Sequence, residues 1–142
     1  EILSINGLIT NVVKYTTQRQ RPYSFYLNKN DEESYKSFFS GHTSTAFAIG
    51  TSTAKMLTQY SIIDKRIIWL STLGLASVTG YLRIAADKHY FSDVLAGAVV
   101  GSFLGNTMFD RLTNKYQKIT ILGQHTPKFC FSPHNIKIII PL

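Results

Sequence analysis

Three residues with complementary chemistry stand close together in the sequence: Arg83, His89 and Asp93. His89 and Asp93 are four residues apart, so in a helix they would share one face. A carboxylate there can accept a hydrogen bond from one ring nitrogen and leave the other as a nucleophile or base. Arg83 has a fixed charge and a planar fork of donors that suits phosphate oxygens. A His/Asp pair at this spacing is more often structural, so the rest of the chain decides its meaning.

Two further patches carry the same kinds of residue. Lys14 is separated by six residues from Arg21-Pro22, and Ser40-Gly41-His42 stands before an apolar stretch. Glycine and hydroxyl residues before an apolar run mark a helix start, where free backbone N–H groups bind anions. Each patch is weak alone, because a lysine near a helix end is usually solvated and Ser-Gly-His can be only a turn. Together they form an order and spacing that chance would rarely supply.

The order and spacing of these patches resemble the type 2 phosphatidic acid phosphatase superfamily, which also contains bacterial non-specific acid phosphatases and vanadium haloperoxidases. The family pattern is K-x6-RP, then PSGH, then SR-x5-H-x3-D. The first motif is complete in this chain, Phe39 replaces proline in the second, and Leu82 replaces serine in the third. The segment HYFSDVLAG, which begins at His89, also resembles the family around its last motif. The resemblance covers roughly residues 10–110.

The resemblance implies a phosphate-binding cradle. In it, Lys14, Arg21 and Arg83 hold the non-bridging oxygens and offset charge in the transition state. Ser40 and the backbone N–H of Gly41 complete the cradle. Because three cations supply the positive charge, the resemblance implies a reaction without a metal or any other cofactor, and one that orthovanadate inhibits.

The resemblance also implies a two-step reaction. His89 attacks phosphorus and forms a phosphohistidine, while Asp93 orients the ring and stabilises its cation. His42 protonates the leaving alkoxide and then activates water for the second step.

The elements that must position these residues are helices. Residues 1–17 carry a mostly helical apolar stripe, and three further apolar helices are expected over residues 46–60, 67–81 and 94–109. Ser92 is a natural N-cap for the last of them, with Asp93 in its first turn. Residues 23–38 are polar and turn-rich, which predicts a loop. The predicted fold class is an all-α helical bundle.

Two sequence features refine this bundle. Gly97, Gly101 and Gly105 recur every four residues, which lets another helix backbone approach closely. Short β-type runs at 118–122, 128–131 and 136–140 predict a strand-like C-terminal appendage. We therefore expect a phosphatase helical core at residues 1–115 and the appendage at 116–142. His125 and His134, in the appendage, are interpreted as surface histidines.

The composition of the chain indicates which kinds of binding partner to expect. The 142-residue chain is 44% hydrophobic and 16% charged, with a formal charge of +7, which suits anionic partners. Its basic residues are scattered and no nucleic-acid reader motif is present, so nucleic acid is not an expected partner. The single cysteine, Cys130, rules out a disulfide within the chain and a zinc site built from cysteines.

The leading hypothesis is an integral membrane phosphatase acting on a phosphorylated lipid. The resemblance implies a core of six spans, of which this chain would hold the last three or four helices, with the N-terminal portion missing. It implies a bacterial inner membrane and a site that faces outward. Three alternatives stay open: a soluble or periplasmic acid phosphatase, a vanadate-dependent haloperoxidase, and a structural membrane fragment whose site has decayed. The apolar helices are a little shorter than a bilayer span, so they fit tilted spans or a soluble core.

Overall fold

A computed structural model of the chain describes residues 1–28, 31–60, 63–122, 129–132 and 135–138. The helices are α1 (Ile2–Thr17), α2 (Ser24–Leu27), α3 (Gly41–Tyr60), α4 (Lys65–Ala85) and α5 (Phe91–Leu122), with a 3₁₀ turn at Glu32–Tyr35. Strands β1 (Phe129–Ser132) and β2 (Asn135–Ile138) pair antiparallel, with Phe129 opposite Ile138. The predicted all-α helical bundle is confirmed. The chain divides into two compact units, Glu1–Phe109 and Asp110–Leu142.

Local chemistry sets the helix ends that carry site residues. Lys14 lies in the last turn of α1, and its carbonyl accepts the N–H of Gln18, which has the left-handed φ of 43° common at helix ends. At the start of α4, the Asp64 side chain caps the helix by accepting the N–H of Arg66 at 2.7 Å. The first of these caps fixes where the chain leaves α1 for the loop that carries Arg21, and the second fixes the end of α4 opposite Arg83.

The glycines of α5 pack against α3. A Cβ atom at Gly97 would lie 2.6 Å from the carbonyl oxygen of Ser40. A Cβ at Gly105 would lie 2.5 Å from the carbonyl oxygen of Ala48, two turns further along α3. Real Cβ atoms do not come that close, so only glycine permits this separation of the two helices. The predicted close approach is confirmed, and its partner is the helix that begins after Ser40.

The helical unit buries many polar side chains beside a small apolar core, and it exposes many large apolar side chains. Asn6, Thr10, Thr43 and Ser44 are buried, and Ser44 donates a hydrogen bond to the Asn6 side chain at 2.6 Å. Large apolar side chains are exposed on all four long helices; examples are Leu8, Val12, Ile49, Leu70, Leu75, Leu95, Val99 and Phe103. Among the described residues, only α4 is long and apolar enough to cross a membrane, and 17% of its most apolar window is buried.

Three helices are longer than the apolar runs predicted, because polar residues at their ends continue them. The expected helix 46–60 begins at Gly41, 67–81 extends over Lys65–Ala85, and 94–109 extends over Phe91–Leu122. Arg83 therefore lies in the last turn of α4 and not in a loop. The predicted loop at 23–38 contains α2 and the 3₁₀ turn.

Two local predictions were wrong. The run at 118–122 is helical, because α5 continues through it despite its alternating pattern. Ser92 lies inside the first turn of α5, so the N-cap position falls to Tyr90. The predicted division after residue 115 falls within α5 and stays a prediction. His125 and His134 lie outside the described residues.

Candidate active site

The predicted site residues lie at helix ends and in the loops between them. Lys14 lies in the last turn of α1, and Arg21 follows in the connection to α2. Gly41 begins α3, Arg83 is in the last turn of α4, and Asp93 is in the first turn of α5. Ser40 directly precedes α3, His42 is its second residue, and His89 lies between α4 and α5. Four helix termini therefore contribute to one region.

The charges of the three predicted phosphate ligands, Lys14, Arg21 and Arg83, interact with one another. Burial lowers the pKa of Lys14, and the nearby charges of Arg21, Lys36 and Arg83 lower it further, while Glu33 raises it. Coulomb interactions weaken with distance and are screened by salt, so such coupling places these cations in one neighbourhood. The structure thus brings Lys14, Arg21 and Arg83 into one positive cluster.

Two donors of this cluster have no partner. The Nε atoms of Arg21 and Arg83 are buried and make no hydrogen bond with any described residue. Arg21 is 7% exposed, and its Nη2 lies 3.3 Å from Oε2 of Glu33. A buried N–H without an acceptor is costly, and a phosphate oxygen is a strong acceptor for a guanidinium fork. The cluster therefore fits an oxyanion.

His42 stands beside the cations at the surface. Desolvation lowers its pKa below the ordinary value of 6.5, and the charges of Arg83 and Lys14 lower it further. Its side chain lines a groove of about 450 Å³, together with Lys14, Ala46 and Ile49. A neutral imidazole here can exchange a proton with a group bound at the cations.

His89 is buried, with 2% of its surface exposed. Its Nδ1 lies 2.7 Å from the carbonyl oxygen of Ser37. A carbonyl can only accept, so Nδ1 carries the proton and Nε2 presents a lone pair. Burial lowers the pKa of His89, partly opposed by Asp93 and the Ser37 carbonyl. The ring is therefore held neutral and in the tautomer that a nucleophile at Nε2 requires.

Asp93 does not bond His89 in the way the sequence suggested. The two side chains do not share a helix face, since His89 precedes α5, and Oδ2 lies 3.9 Å from Nδ1. That separation is too long for a hydrogen bond, and the Nδ1–H of His89 donates to the Ser37 carbonyl instead. Asp93 Oδ2 accepts from the Ser37 hydroxyl at 2.5 Å and from the N–H of Tyr90 at 3.0 Å. The second bond is the capping-box contact of α5, which anchors Asp93 to the helix start.

The charge of Asp93 is balanced by Arg19. Arg19 Nη1 lies 2.5 Å from Oδ1 of Asp93, whose side chain is fully buried. Burial alone would raise the pKa of Asp93, but bonds from its neighbours and the Arg19 charge outweigh it, so the pKa is lowered. Asp93 is therefore an anion inside the protein, close enough to His89 to stabilise a positive ring.

Ser40 and Gly41 shape the start of α3. Ser40 is fully buried, its Oγ accepts from the Thr43 hydroxyl at 2.9 Å, and its N–H donates to the Asp93 carbonyl at 3.0 Å. A Cβ at Gly41 would lie 2.9 Å from the Thr10 methyl carbon, so α1 and α3 meet here closely. The Ser40 hydroxyl thus acts first as part of the helix start, and its proton can still be donated.

The two departures from the family motifs are both apolar side chains. Phe39 is 2% exposed, and its ring meets that of Phe38 edge-on with centroids 6.1 Å apart. Leu82 is 57% exposed on α4. Neither substitution removes an ionisable group from the cluster.

Sequence reasoning missed three residues of this region: Arg19, Ser37 and Lys36. Arg19 and Ser37 contact Asp93, and Lys36 forms ion pairs with Glu32 at 2.7 Å and with Glu33 at 3.1 Å. Those carboxylates raise the pKa of Lys36. Arg19 and Lys36 had the signature of ordinary solvated cations, and Ser37 acts partly through a backbone carbonyl, which has no sequence signature. Within the described part of the chain, no three His, Cys, Asp or Glu side chains are grouped to hold a metal ion.

Comparisons with known proteins place this geometry in context. A family model described as the PAP2 superfamily matches residues 1–117. The chain is 37% identical over 105 residues to a lipid A 1-phosphatase of Porphyromonas gingivalis, covering 72% of this chain and 20% of that protein. It is 29% identical over 131 residues to a probable lipid phosphate phosphatase 4 of Arabidopsis thaliana, covering 72% of this chain and 42% of that protein. No solved structure gives a significant match.

The chain thus spans less than half the length of these curated relatives. The matched segment nevertheless holds all three motifs, from Lys14 to Asp93, and most of the 142 residues. Because the family model covers the helical unit together with its cluster of cations and histidines, the chain belongs to the PAP2 superfamily, the type 2 phosphatidic acid phosphatases.

Proposed function

We propose that this chain carries the active site of a metal-independent lipid phosphatase, which hydrolyses a phosphate monoester or pyrophosphate through a phosphohistidine. One observation carries the proposal. Lys14, Arg21 and Arg83 form a positive cluster beside two histidines, and two of the arginine donors are buried without a partner. A phosphate group satisfies those donors and neutralises the cluster.

In the first step, Nε2 of His89 attacks phosphorus as the bond from phosphorus to the leaving oxygen breaks. The ring becomes a cation that keeps its Nδ1 proton. The Nδ1–H donates a hydrogen bond to the Ser37 carbonyl, and the charge of Asp93 stabilises the cation. His42, protonated once the anion is bound, gives its proton to the departing alkoxide. The products are an alcohol and a phosphorylated His89.

In the second step, water attacks the phosphohistidine. His42 takes a proton from that water as the new phosphorus–oxygen bond forms and the bond to His89 breaks. Inorganic phosphate leaves, His89 is again neutral, and the proton on His42 returns to solvent or passes to the next leaving group. The sum is hydrolysis, with one water consumed for each phosphate released.

The proposed substrate is a lipid phosphate in a membrane. Exposed Leu, Val, Ile and Phe side chains on the long helices, and α4 as a candidate span, are suited to an apolar surrounding. The groove beside His42 is lined by Ala46 and Ile49, which offers an apolar path next to the proton donor. The curated relatives named above are lipid phosphatases by name.

The test is the substitution His89→Ala in the intact protein, assayed by phosphate release from a panel of lipid phosphates. We expect turnover to disappear and no acid-labile, base-stable phosphoprotein to form, while thermal unfolding stays cooperative. His125→Ala is the matched control, because His125 lies beyond the residues matched by the family model. It should keep both turnover and the phosphoprotein. Full activity in the His89 variant would refute the proposed nucleophile.

A further inference from the structure

The side chain of Arg19 contacts three residues near His89, all at the start of α5. Its Nη1 contacts Oδ1 of Asp93 at 2.5 Å and Oγ of Ser92 at 2.9 Å. Its guanidinium carbon lies 4.4 Å from the centroid of the Tyr90 ring. All three of these contacts are with the start of α5, although Arg19 belongs to the connection after α1. Arg19 therefore joins the segment that carries the first motif to the segment that carries the last.

The backbone of Arg19 holds the other neighbour of the nucleophile. Its carbonyl accepts the N–H of Ser37 at 2.9 Å. Ser37 is fully buried. Its carbonyl accepts a hydrogen bond from Nδ1–H of His89, and its hydroxyl donates one to Asp93. The chain of contacts runs from Arg19 through Asp93 and Ser37 to His89. Each contact is between groups of complementary polarity.

We propose that Arg19 is a positioning residue for the nucleophile: it fixes Asp93, and through Asp93 and the Ser37 hydroxyl it holds the Ser37 carbonyl that sets the orientation and tautomer of His89. The inference rests on the proposed role of His89. In this arrangement the Ser37 carbonyl, and not a carboxylate, accepts the hydrogen bond from Nδ1 of His89. Arg19 itself contacts Asp93, Ser92 and the Tyr90 ring, so its effect on His89 is exerted through Asp93 and Ser37.

The burial of the partners explains why this contact matters. An exposed ion pair contributes little, because water screens it and solvates each partner when it breaks. Here the Asp93 side chain is fully buried, while that of Arg19 is 39% exposed. Loss of Arg19 leaves a buried anion with one fewer partner, and such an anion either draws in water or shifts toward another donor. Either change moves Ser37 and the ring that it holds.

The experiment compares Arg19→Gln, Arg19→Lys and Ser37→Ala in the intact protein with wild type. Arg66→Gln is the matched control, since Arg66 is exposed in the first turn of α4, about 26 Å along that helix from Arg83. Three quantities are measured for each variant: kcat and KM with a lipid phosphate, competition by vanadate, and competition by sulfate. Sulfate reports the cation cluster, whereas vanadate, as an analogue of the five-coordinate transition state, also needs the nucleophile in line.

We expect Arg19→Gln and Ser37→Ala to lower kcat by about 10- to 100-fold, the loss typical of a nucleophile displaced by a fraction of an ångström to one ångström. KM and sulfate competition should change by less than about twofold, and vanadate should bind more weakly in step with kcat. Arg19→Lys should recover part of the loss by restoring the charge without the fork. Arg66→Gln should match wild type.

The pH dependence gives a readout that a purely structural role would not move. Besides Arg19, the charged and titratable groups that act on His89 in the described part of the chain include Asp93 on α5, Lys14 on α1, Arg21 after α1 and His42 on α3. None of them is substituted in these variants. Removing the Arg19 charge leaves Asp93 less compensated, so the imidazolium form of His89 is favoured and the acidic limb of kcat/KM should move to higher pH.

Two outcomes would overturn the inference. One is an Arg19→Gln protein with unchanged kcat and unchanged vanadate competition. The other is a variant in which sulfate and vanadate weaken equally, which would assign Arg19 to the phosphate cradle. Both differ from failure of the proposed function, because that failure is an active His89→Ala protein.

Discussion

The protonation state of His42 gives a sharp test of the site, because binding an anion should change it. In the free protein, desolvation and the charges of Arg83 and Lys14 hold the pKa of His42 below 6.5. At pH 7 the ring is therefore mostly neutral and has no proton to donate to a leaving group. An anion bound at the cations offsets their charge and attracts a proton to His42. We predict that anion binding takes up one proton.

The size of the effect follows from charge and distance. Two opposite unit charges about 4 Å apart attract by about 4 kcal/mol near a protein surface and by about 1 kcal/mol in bulk water. His42 is exposed, so its attraction to a bound anion lies between these limits. A change of about 1.4 kcal/mol shifts a protonation equilibrium tenfold. A dianion in the cradle is therefore sufficient to favour the protonated ring.

The sign of the pH dependence follows from linkage. When the bound state holds one more proton than the free state, affinity falls as pH rises between the free and bound pKa values of His42. The fall approaches about tenfold per pH unit for one proton. Sulfate is the probe, because it keeps its double charge over this range and phosphate does not. Its dissociation constant is measured by calorimetry between pH 5.5 and 8.5 in buffers of different ionisation enthalpy.

His42→Gln is the matched variant, because it keeps a polar side chain at α3 and removes the titration. We expect it to bind sulfate with little pH dependence and without proton uptake. A wild-type protein whose sulfate affinity is flat across this range would contradict the argument. So would a slope that persists in His42→Gln, because the proton would then belong to another group such as His89.

Three further predictions address packing, the cradle and the metal question. Gly101→Ala should lose about 1–3 kcal/mol of unfolding free energy, because its Cβ would collide with the Ser44 backbone. Gly74→Ala has open space around it and should gain up to about 1 kcal/mol in the same denaturation assay; equal stabilities would contradict the helix contact. Glu33→Gln should tighten sulfate binding by no more than about fivefold, because it frees the Nη2 of Arg21, and weaker binding would show that the carboxylate supports the cradle. Phosphate release should persist in a metal chelator and stop with vanadate; loss of activity that added metal restores would refute a metal-free reaction.

The types and spacing of the candidate site residues are informative, and their assignment to one site stays a prediction. Lys14, Arg21 and Arg83 are brought near one another, as their electrostatic coupling requires, with His42 and His89 beside them. A phosphate site needs cations whose positions in the chain are fixed by helix ends. The helix ends are themselves marked by glycine, proline and hydroxyl residues. The catalytic roles of these residues stay predictions.

What the sequence did not predict depends on the path of the backbone. The four-residue spacing of His89 and Asp93 suggested a shared helix face, yet α5 begins only at Phe91. The partner of His89 is the carbonyl of Ser37, and every residue has a carbonyl. The contact of Arg19 with Asp93 joins residues 74 positions apart, with no local pattern to reveal it. Tertiary contacts of this kind are set only when the helices pack.

The position of the cation cluster within the bundle bears on the kind of substrate that the proposed function can serve. Helix α4 has 21 residues, a length of about 31 Å, close to the thickness of a bilayer core. Arg83 lies in its last turn, so if α4 crosses a membrane the cluster lies at the boundary between hydrocarbon and water. That is the depth of a lipid phosphate. The exposed apolar side chains and the glycine-packed helix contacts then have one explanation: the helices hold close backbone contacts in an apolar surrounding, while their ends present fixed charges to the headgroup.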